Sequence, residues 1–371
     1  MRILYAAPLS GHTKKFCDYF AEHGHDIHVM SFSGDTVIDS ARVRTINTGA
    51  SGRENDFQKL QYFKAVRFFR QAVHELKPDI INVHYVSSYG LVMAASGIKH
   101  YILSMWGDDV MAVPKKSFIH RKCVEFAMAR ASLLLSTSQA MADEAQKYTR
   151  KKIYITPFGV KMDLFSRDKS TRAENDGQFI IGCVKGLDYQ YGIEYLIRAA
   201  RIIKDKRPDI NLKVRIAGRG LLEEQLKALA EELQLGSVVS FLGYISQEKA
   251  AEEWANADVS VIPSVIPSES FGVSAVEAQA CESPVIISDI PGLMEATSPG
   301  HSSIVVPRRN PEAIAENVIN LYDNPELRRT LGRNGRKFVA ERYELNHCFS
   351  SIESLYRDFM SKKQLDGGLL P

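Results

Sequence analysis

Residues 263–278 read Pro-Ser-Val-Ile-Pro-Ser-Glu-Ser-Phe-Gly-Val-Ser-Ala-Val-Glu-Ala, and they hold two carboxylates, Glu269 and Glu277, with seven residues between them. The apolar run 259–262 before them predicts a strand, and the run from Gly272 predicts a helix. Glu269 then stands just before a helix start and Glu277 inside the helix. The first amides of a helix lack intrahelical partners and attract anions. Gly272 lets a phosphate approach the backbone. A carboxylate on each side can accept hydrogen bonds from the hydroxyls of a sugar and a ribose. Spacing alone leaves a plainer account open, in which Glu269 caps the helix and Glu277 is a solvated charge.

Other chemistries find no support. There is no G-x-x-x-x-G-K-[ST] phosphate loop. The loop after the first predicted strand, Pro8–Thr13, has one glycine, and Gly218-Arg219-Gly220 is followed by Glu223 where a third glycine belongs, so both fail the dinucleotide pattern. No H-E-x-x-H, no G-x-S-x-G and no cluster with metal-ligand spacing occurs. The five cysteines form no C-x-x-C pair, which argues against a disulfide framework or a zinc site and for a reducing cytoplasm. No apolar run approaches a membrane span of about 18–20 residues.

The elements that must position these residues follow from periodicity. Short apolar runs alternate with amphipathic stretches, which predicts α/β architecture with parallel sheets covered on both faces. Strands are expected at 2–6, 26–31, 80–83, 101–104, 133–136 and 153–155, and helices at 12–23, 56–76, 117–130 and 138–148. The polar, aperiodic run 166–178 predicts a linker. Alternation then restarts, with strands at 179–183, 212–217, 239–242, 259–262 and 284–288 and helices at 192–206, 221–233, 247–256 and 272–280. From Pro311 the chain reads as mainly helical. Its last helix, 346–362, carries an apolar stripe of Phe349, Ile352, Leu355, Tyr356 and Phe359, and the tail 364–371 is expected to fray. Ligands of open α/β sheets bind beyond the carboxyl ends of the strands, so two such domains facing each other would bind theirs in a cleft.

The Glu269/Glu277 pattern resembles the E-x7-E motif of the retaining family-four glycosyltransferases, which have the GT-B fold of two Rossmann-like, doubly wound domains. Further segments fit that family in the same order. They are Ile155–Val160 with Asp163 and Phe165, Ile181–Lys185 through Tyr191-Gly192, Ala217–Gly220, Gly243–Ile245, Pro284–Ile286 and Pro291–Glu295. The resemblance implies domains at 1–165 (acceptor side) and 166–345 (donor side), with 346–371 crossing back to the first domain. It implies that Glu277 binds the ribose, Glu269 the donor sugar, and the backbone at Phe271, Gly272 and Val273 the diphosphate. The family places an Arg and then a Lys near the diphosphate. Here those positions are Lys185, which keeps a cation, and Tyr191, which does not, with Arg219 or Lys161 as compensation. It implies no cofactor and no tightly bound metal, because a helix start and cationic side chains take up the charge of the leaving diphosphate. The usual proposal for such enzymes is attack on the face from which the diphosphate departs, with the diphosphate accepting the proton.

In the first domain the loop Pro8–Thr13 offers Gly11 for close approach to a phosphate and His12 at a helix start, where it is equally well a plain helix residue. Relatives read H-G-x-D after the strand at 101–104. Here Trp106 takes the place of the His and Asp109 matches the Asp. Trp106 could stack on a sugar face or sit in the core. His84 follows another strand and is a further cleft candidate.

Residues 1–165 carry 22 Lys and Arg against 15 Asp and Glu, while 166–371 carry 25 against 29. The halves are thus unlike in sign. The basic groups Lys64/Arg67/Arg70, Lys115/Lys116/Arg121/Lys122 and Arg150/Lys151/Lys152 suggest an anionic lipid surface or a lipid-linked acceptor, against ordinary solvated lysines. No nucleic-acid reading motif is present. The expected function is transfer of a sugar from a UDP- or GDP-sugar to an acceptor sugar or lipid-linked glycan in cell-surface polysaccharide or glycolipid synthesis, at the cytoplasmic side with peripheral membrane contact. A GT-B nucleotide-sugar epimerase and a non-catalytic nucleotide-sugar-binding protein are the alternatives.

Overall fold

The computed structural model describes residues 1–48, 58–173 and 177–365, with the side chains of 58–60 and 363–365 left out. The chain forms two compact units, Met1–Phe158 with Phe349–Pro371, and Gly159–Cys348. Each has its own hydrophobic core.

In the first unit the strands are β1 (Arg2–Ala6), β2 (Asp26–Ser31), β3 (Arg42–Thr45), β4 (Ile80–His84), β5 (Ile102–Met105), β6 (Leu133–Ser136) and β7 (Ile153–Ile155). They form a parallel sheet in the order β3-β2-β1-β4-β5-β6-β7. Continuous burial of β4, β5 and all of β1 after Arg2 reflects helices on both faces. β3 was not expected. All four of its residues (Arg-Val-Arg-Thr) are exposed, as suits an edge strand that must not recruit another chain. The helix expected over 56–76 is a 3₁₀ segment, Gln58–Lys64, continued by an α-helix, Ala65–Leu76, and positions 56–57 lie outside the described residues. Lys77 ends that helix in a left-handed conformation just before Pro78.

In the second unit β8 (Phe179–Val184), β9 (Leu212–Ala217), β10 (Val239–Phe241), β11 (Val259–Ile262), β12 (Val285–Ser288) and β13 (Ser303–Val306) form a parallel sheet in the order β10-β9-β8-β11-β12-β13. Each sheet reverses its winding once, between β1 and β4 and between β8 and β11. Such switch points open a crevice at the carboxyl ends.

The polar run read as a linker is fastened to the second unit where it is described. Ser170 donates to Asn256 Oδ1 at 2.8 Å, and Arg172 pairs with Asp258 at 2.7 Å. Positions 174–176 of that run lie outside the described residues, as do 366–371 of the tail. The last helix, Leu345–Leu365, joins the first unit from Phe349 onward. There Phe349 packs 4.7 Å from Phe16, Tyr356 stacks on Phe20 at 5.3 Å, and Asn82 donates to the Tyr356 hydroxyl at 2.5 Å. Phe349, Ile352 and Tyr356 are fully buried, each contributing about 1.5–3 kcal/mol. Among the described residues no helix is long and apolar enough to cross a membrane.

Candidate functional site

The neighbouring strands β8 and β11 bring two distant loops together. Lys185 follows β8 directly, and its amide donates to Ala217 of β9 at 2.9 Å. Pro263–Gly272 follows β11 and leads into the helix Val273–Ala280. Ser274 on that helix donates to the Val184 carbonyl at 2.9 Å, which ties the helix start to the end of β8.

Between these loops the Lys185 ammonium pairs with Glu269, and the Ser264 hydroxyl donates to the other Glu269 oxygen. The Lys185 and Glu269 side chains are only 10% and 9% exposed. Lys185 Nζ lies 4.8 Å from the centre of the Tyr191 ring. Burial works against the lysine's charge, but the Glu269 carboxylate and Tyr191 outweigh it and hold the ammonium above the usual lysine range. The residue in place of a second cation thus supports the first one.

Two glycines shape this corner. Gly272 caps the helix start with φ +72°, and a Cβ there would lie 2.8 Å from Leu293. Gly292 lies against the segment carrying the carboxylate, since its Cβ would come within 2.2 Å of the Glu269 carbonyl oxygen. The Phe271 ring turns inward, edge-on to Tyr343 at 5.2 Å, and leaves its backbone at the helix start. Val273 and Glu277 are half-buried on the helix itself. The loop with Gly218 and Gly220 lies alongside, its Arg219 carbonyl accepting from Leu187 at 3.0 Å. The Arg219 side chain is exposed, with no ion pair among the described residues.

Chemically, this corner offers an ammonium with three donors, one of them engaged, beside the amides of a helix start. That set suits an anion. Glu269 holds one partner on each oxygen and has lone pairs left for hydroxyl donors. Ser264, Ser274 and Gly292 were not singled out from the sequence. Ser264 lies in a Pro/Ser loop, and Ser274 and Gly292 lie in the first turns of helices that follow strands, positions whose sequence does not say what they touch.

In the first unit a cavity of about 360 Å³ lies past β1 and β4, with Pro8, Leu9, Ser10, His12, Tyr85 and Trp106 in its lining. Ser10 caps the helix Gly11–Glu22 by accepting from Thr13, and Gly11 is exposed with open space around it. The His12 ring stacks on Phe158 at 4.3 Å and meets Trp106 edge-on at 5.9 Å. Burial, aided by Lys15, pushes its pKa down to about 3.

Two of the expected contacts, His84 and Asp109, are buried. His84 does not line this cavity. It is fully buried 4.2 Å from Trp106 and 5.0 Å from Phe16, with no hydrogen-bond partner on either ring nitrogen among the described residues, and burial together with His12 pushes its pKa down to about 3. Asp109 is only 1% exposed, and its carboxylate accepts the amides of Val86 and Gly107 at 2.8 Å and of Trp106 at 3.3 Å. Burial raises its pKa to about 6. Both residues hold Trp106 and its loop in place from behind.

The basic groups are also more engaged than their spacing suggests. Lys115 pairs with Glu144, Arg121 and Lys122 pair with Glu125, and Lys151 caps the carbonyls of Met128, Ala129 and Ala131. On the helix Phe118–Arg130, Phe118 and Ile119 stand more than 70% exposed.

Comparison with known proteins covers both units. Residues 2–138 match the family described as glycosyl transferase 4-like, and 165–338 match glycosyl transferases group 1. An uncharacterized glycosyltransferase of Methanocaldococcus jannaschii is 26% identical over 284 residues, 76% of this chain and 75% of that protein. A D-inositol 3-phosphate glycosyltransferase of Paenarthrobacter aurescens is 32% identical over 213 residues, 55% of this chain and 52% of its own length. Among solved structures, sucrose-phosphate synthase from Thermosynechococcus elongatus aligns with a TM-score of 0.84 at 19% identity, covering 98% of this chain and 100% of that one. HepE of Anabaena in complex with UDP and glucose aligns with a TM-score of 0.79 at 18% identity, over 96% and 100%. At these identities the structural likeness concerns the fold, which is GT-B.

Proposed function

Since residues 2–138 and 165–338 match glycosyltransferase families and the fold is GT-B, we propose that the chain is a retaining enzyme that moves a sugar from a UDP- or GDP-sugar to an acceptor in the synthesis of a cell-surface polysaccharide or glycolipid. The observation that carries this reading is the Lys185–Glu269–Ser264 cluster beside the helix start at Gly272. In this reading the diphosphate lies against the amides of Phe271, Gly272 and Val273, and Lys185 turns its remaining donors to it. Glu269 receives hydroxyls of the donor sugar, and Glu277 receives those of the ribose. As the sugar–phosphate bond breaks, negative charge grows on the diphosphate, and the fixed ammonium and helix start stabilise it without reorganising. The acceptor hydroxyl attacks on the same face and its proton passes to the leaving phosphate oxygen. Charge uptake by Lys185 and the helix start assigns no metal to the reaction.

HepE, solved with UDP and with UDP-glucose, supports the donor class. The inositol-phosphate enzymes bring a small phosphorylated acceptor into the range to be tested. The exposed Phe118 and Ile119, among Lys116, Arg121 and Lys122, support peripheral contact with an anionic membrane carrying a lipid-linked acceptor. The deciding experiment is a thermal-shift screen of UDP-, GDP- and ADP-sugars, followed by nucleotide release with acceptor present. Binding of none of them would remove the enzyme reading. Conversion of the donor without any acceptor would make it an epimerase.

A further inference from the structure

At the amino ends of the second unit's strands lies another cavity, of about 300 Å³. Arg167, Arg328, Arg329 and Arg333 line it, with Asp258 and Glu282. Asp258 immediately precedes β11, which places the cavity at the sheet edge opposite Lys185 and Glu269.

The acids there are already engaged. Asp258 accepts from Arg172 at 2.7 Å and from the Ile180 amide at 2.9 Å, while Glu282 faces Arg336 at 3.8 Å. Arg329 pairs with Glu326 at 2.7 Å. Among the described residues Arg167, Arg328 and Arg333 have no ion pair. Arg328 is half-buried, 5.2 Å from the Phe179 ring, and gives one N–H to the Leu321 carbonyl at 3.0 Å. Arg167 gives one to the Ala257 carbonyl at 3.4 Å. A guanidinium has five donors, so most of theirs remain for a ligand.

Local rules disfavour this placement. Arg328 and Arg329 sit near the start of the helix Pro325–Tyr343, where the helix dipole is positive and acids are preferred. Arg329 and Arg333 are four residues apart, a destabilising spacing for like charges. Burial, with the neighbouring Arg329, Arg167 and Arg172, outweighs the attraction of Asp258 and holds Arg328 below the usual arginine range. An anion in the cavity would relieve each of these costs.

We propose that this cavity is a second anion site that binds two linked phosphoryl groups, as inorganic pyrophosphate or as the diphosphate of a nucleotide. Three arginines without an ion pair among the described residues match the two to three negative charges of such a group, and guanidinium forks fit phosphoryl oxygens in pairs. The site shares no residue with the donor reading and does not rest on it.

The test uses the full chain at fixed ionic strength, with pyrophosphate and UDP as probes in calorimetric titration and thermal shift. In chloride buffer Arg333→Gln is expected to be at least as thermally stable as the parent, because one crowded charge is gone. Pyrophosphate is expected to raise the parent's melting temperature, with affinity falling roughly tenfold in Arg333→Gln and further in Arg167→Gln/Arg333→Gln. The Arg333-dependent binding is expected to persist in Glu269→Gln/Glu277→Gln. UDP binding to that last variant in an Arg333-dependent way would assign a nucleotide source, and binding of pyrophosphate alone an inorganic one. Unchanged pyrophosphate affinity in the arginine variants, or a loss of stability in chloride for Arg333→Gln, would overturn the proposal.

Discussion

Replacing Lys185 by Met keeps most of the side-chain volume and removes the charge from a pair whose members are about one-tenth exposed. Two effects follow, and they can be separated. A charge-assisted hydrogen bond is worth about 1.5–3 kcal/mol, and each ~1.4 kcal/mol is tenfold in rate. If Lys185 faces the leaving diphosphate, kcat should fall by about one to two decades, with a smaller change in donor affinity, because the charge it meets grows only as the bond breaks. The same change leaves Glu269 buried beside Ser264 without its cation, at a stability cost of up to about 3–5 kcal/mol. Lys185→Met/Glu269→Gln removes both charges, so stability should recover in part while turnover stays low. Nucleotide release under saturating donor gives kcat, titration calorimetry gives donor affinity, and urea unfolding gives stability. Unchanged turnover of the true donor in Lys185→Met would refute the placement of this lysine. Recovery of turnover together with stability in the double variant would show that the lysine acts only through folding.

Three further outcomes are expected. His84 is held with its pKa near 3, against an ordinary value of 6.5. Its folded pKa is depressed, so the unfolded chain binds the proton first and stability is lost as pH falls below 6.5, by about 2 kcal/mol at pH 5. His84→Leu should therefore lose less stability between pH 7 and pH 5 in urea titrations, and an unaltered pH dependence would contradict the burial argument. EDTA should leave nucleotide release intact, whereas full loss restored by Mn²⁺ or Mg²⁺ would contradict charge uptake by Lys185 and the helix start. Phe118→Ser/Ile119→Ser should reduce co-sedimentation with phosphatidylglycerol vesicles and leave turnover of a soluble acceptor unchanged. Equal co-sedimentation would move the membrane contact elsewhere.

Much of the scaffold could be read in advance because buried parallel strands are short apolar runs. β1, β2, β6, β7, β9 and β11 stand where alternation places them. β3 could not be read, because an exposed edge strand carries charge instead of pattern. The segments Val86–Gly90 and Leu91–Ser96 escaped for the opposite reason. Buried on nearly every side, they show no period. The site follows the same division. Glu269, Glu277 and Gly272 are marked out by local spacing together with the family resemblance, but the Lys185–Glu269 pair spans 84 residues and arises only because β8 lies beside β11. His84 is expected in the cleft because it follows a strand, and Asp109 because it matches the Asp of the family's H-G-x-D. Position after a strand does not say which way a side chain turns, and these two turn toward the back of Trp106.

The last helix carries a consequence for how the chain is made. Phe16, Phe20 and Asn82 of the first unit find their partners in Phe349 and Tyr356. Those partners leave the ribosome roughly 200 residues after Phe158, which at about 5–20 residues per second is a wait of about 10–40 s. Throughout that interval the earliest-made unit lacks the packing that Phe349 and Tyr356 supply to Phe16 and Phe20. Nascent chains stalled ahead of Phe349 should accordingly be clients of holdase chaperones, while chains released past Tyr356 should not.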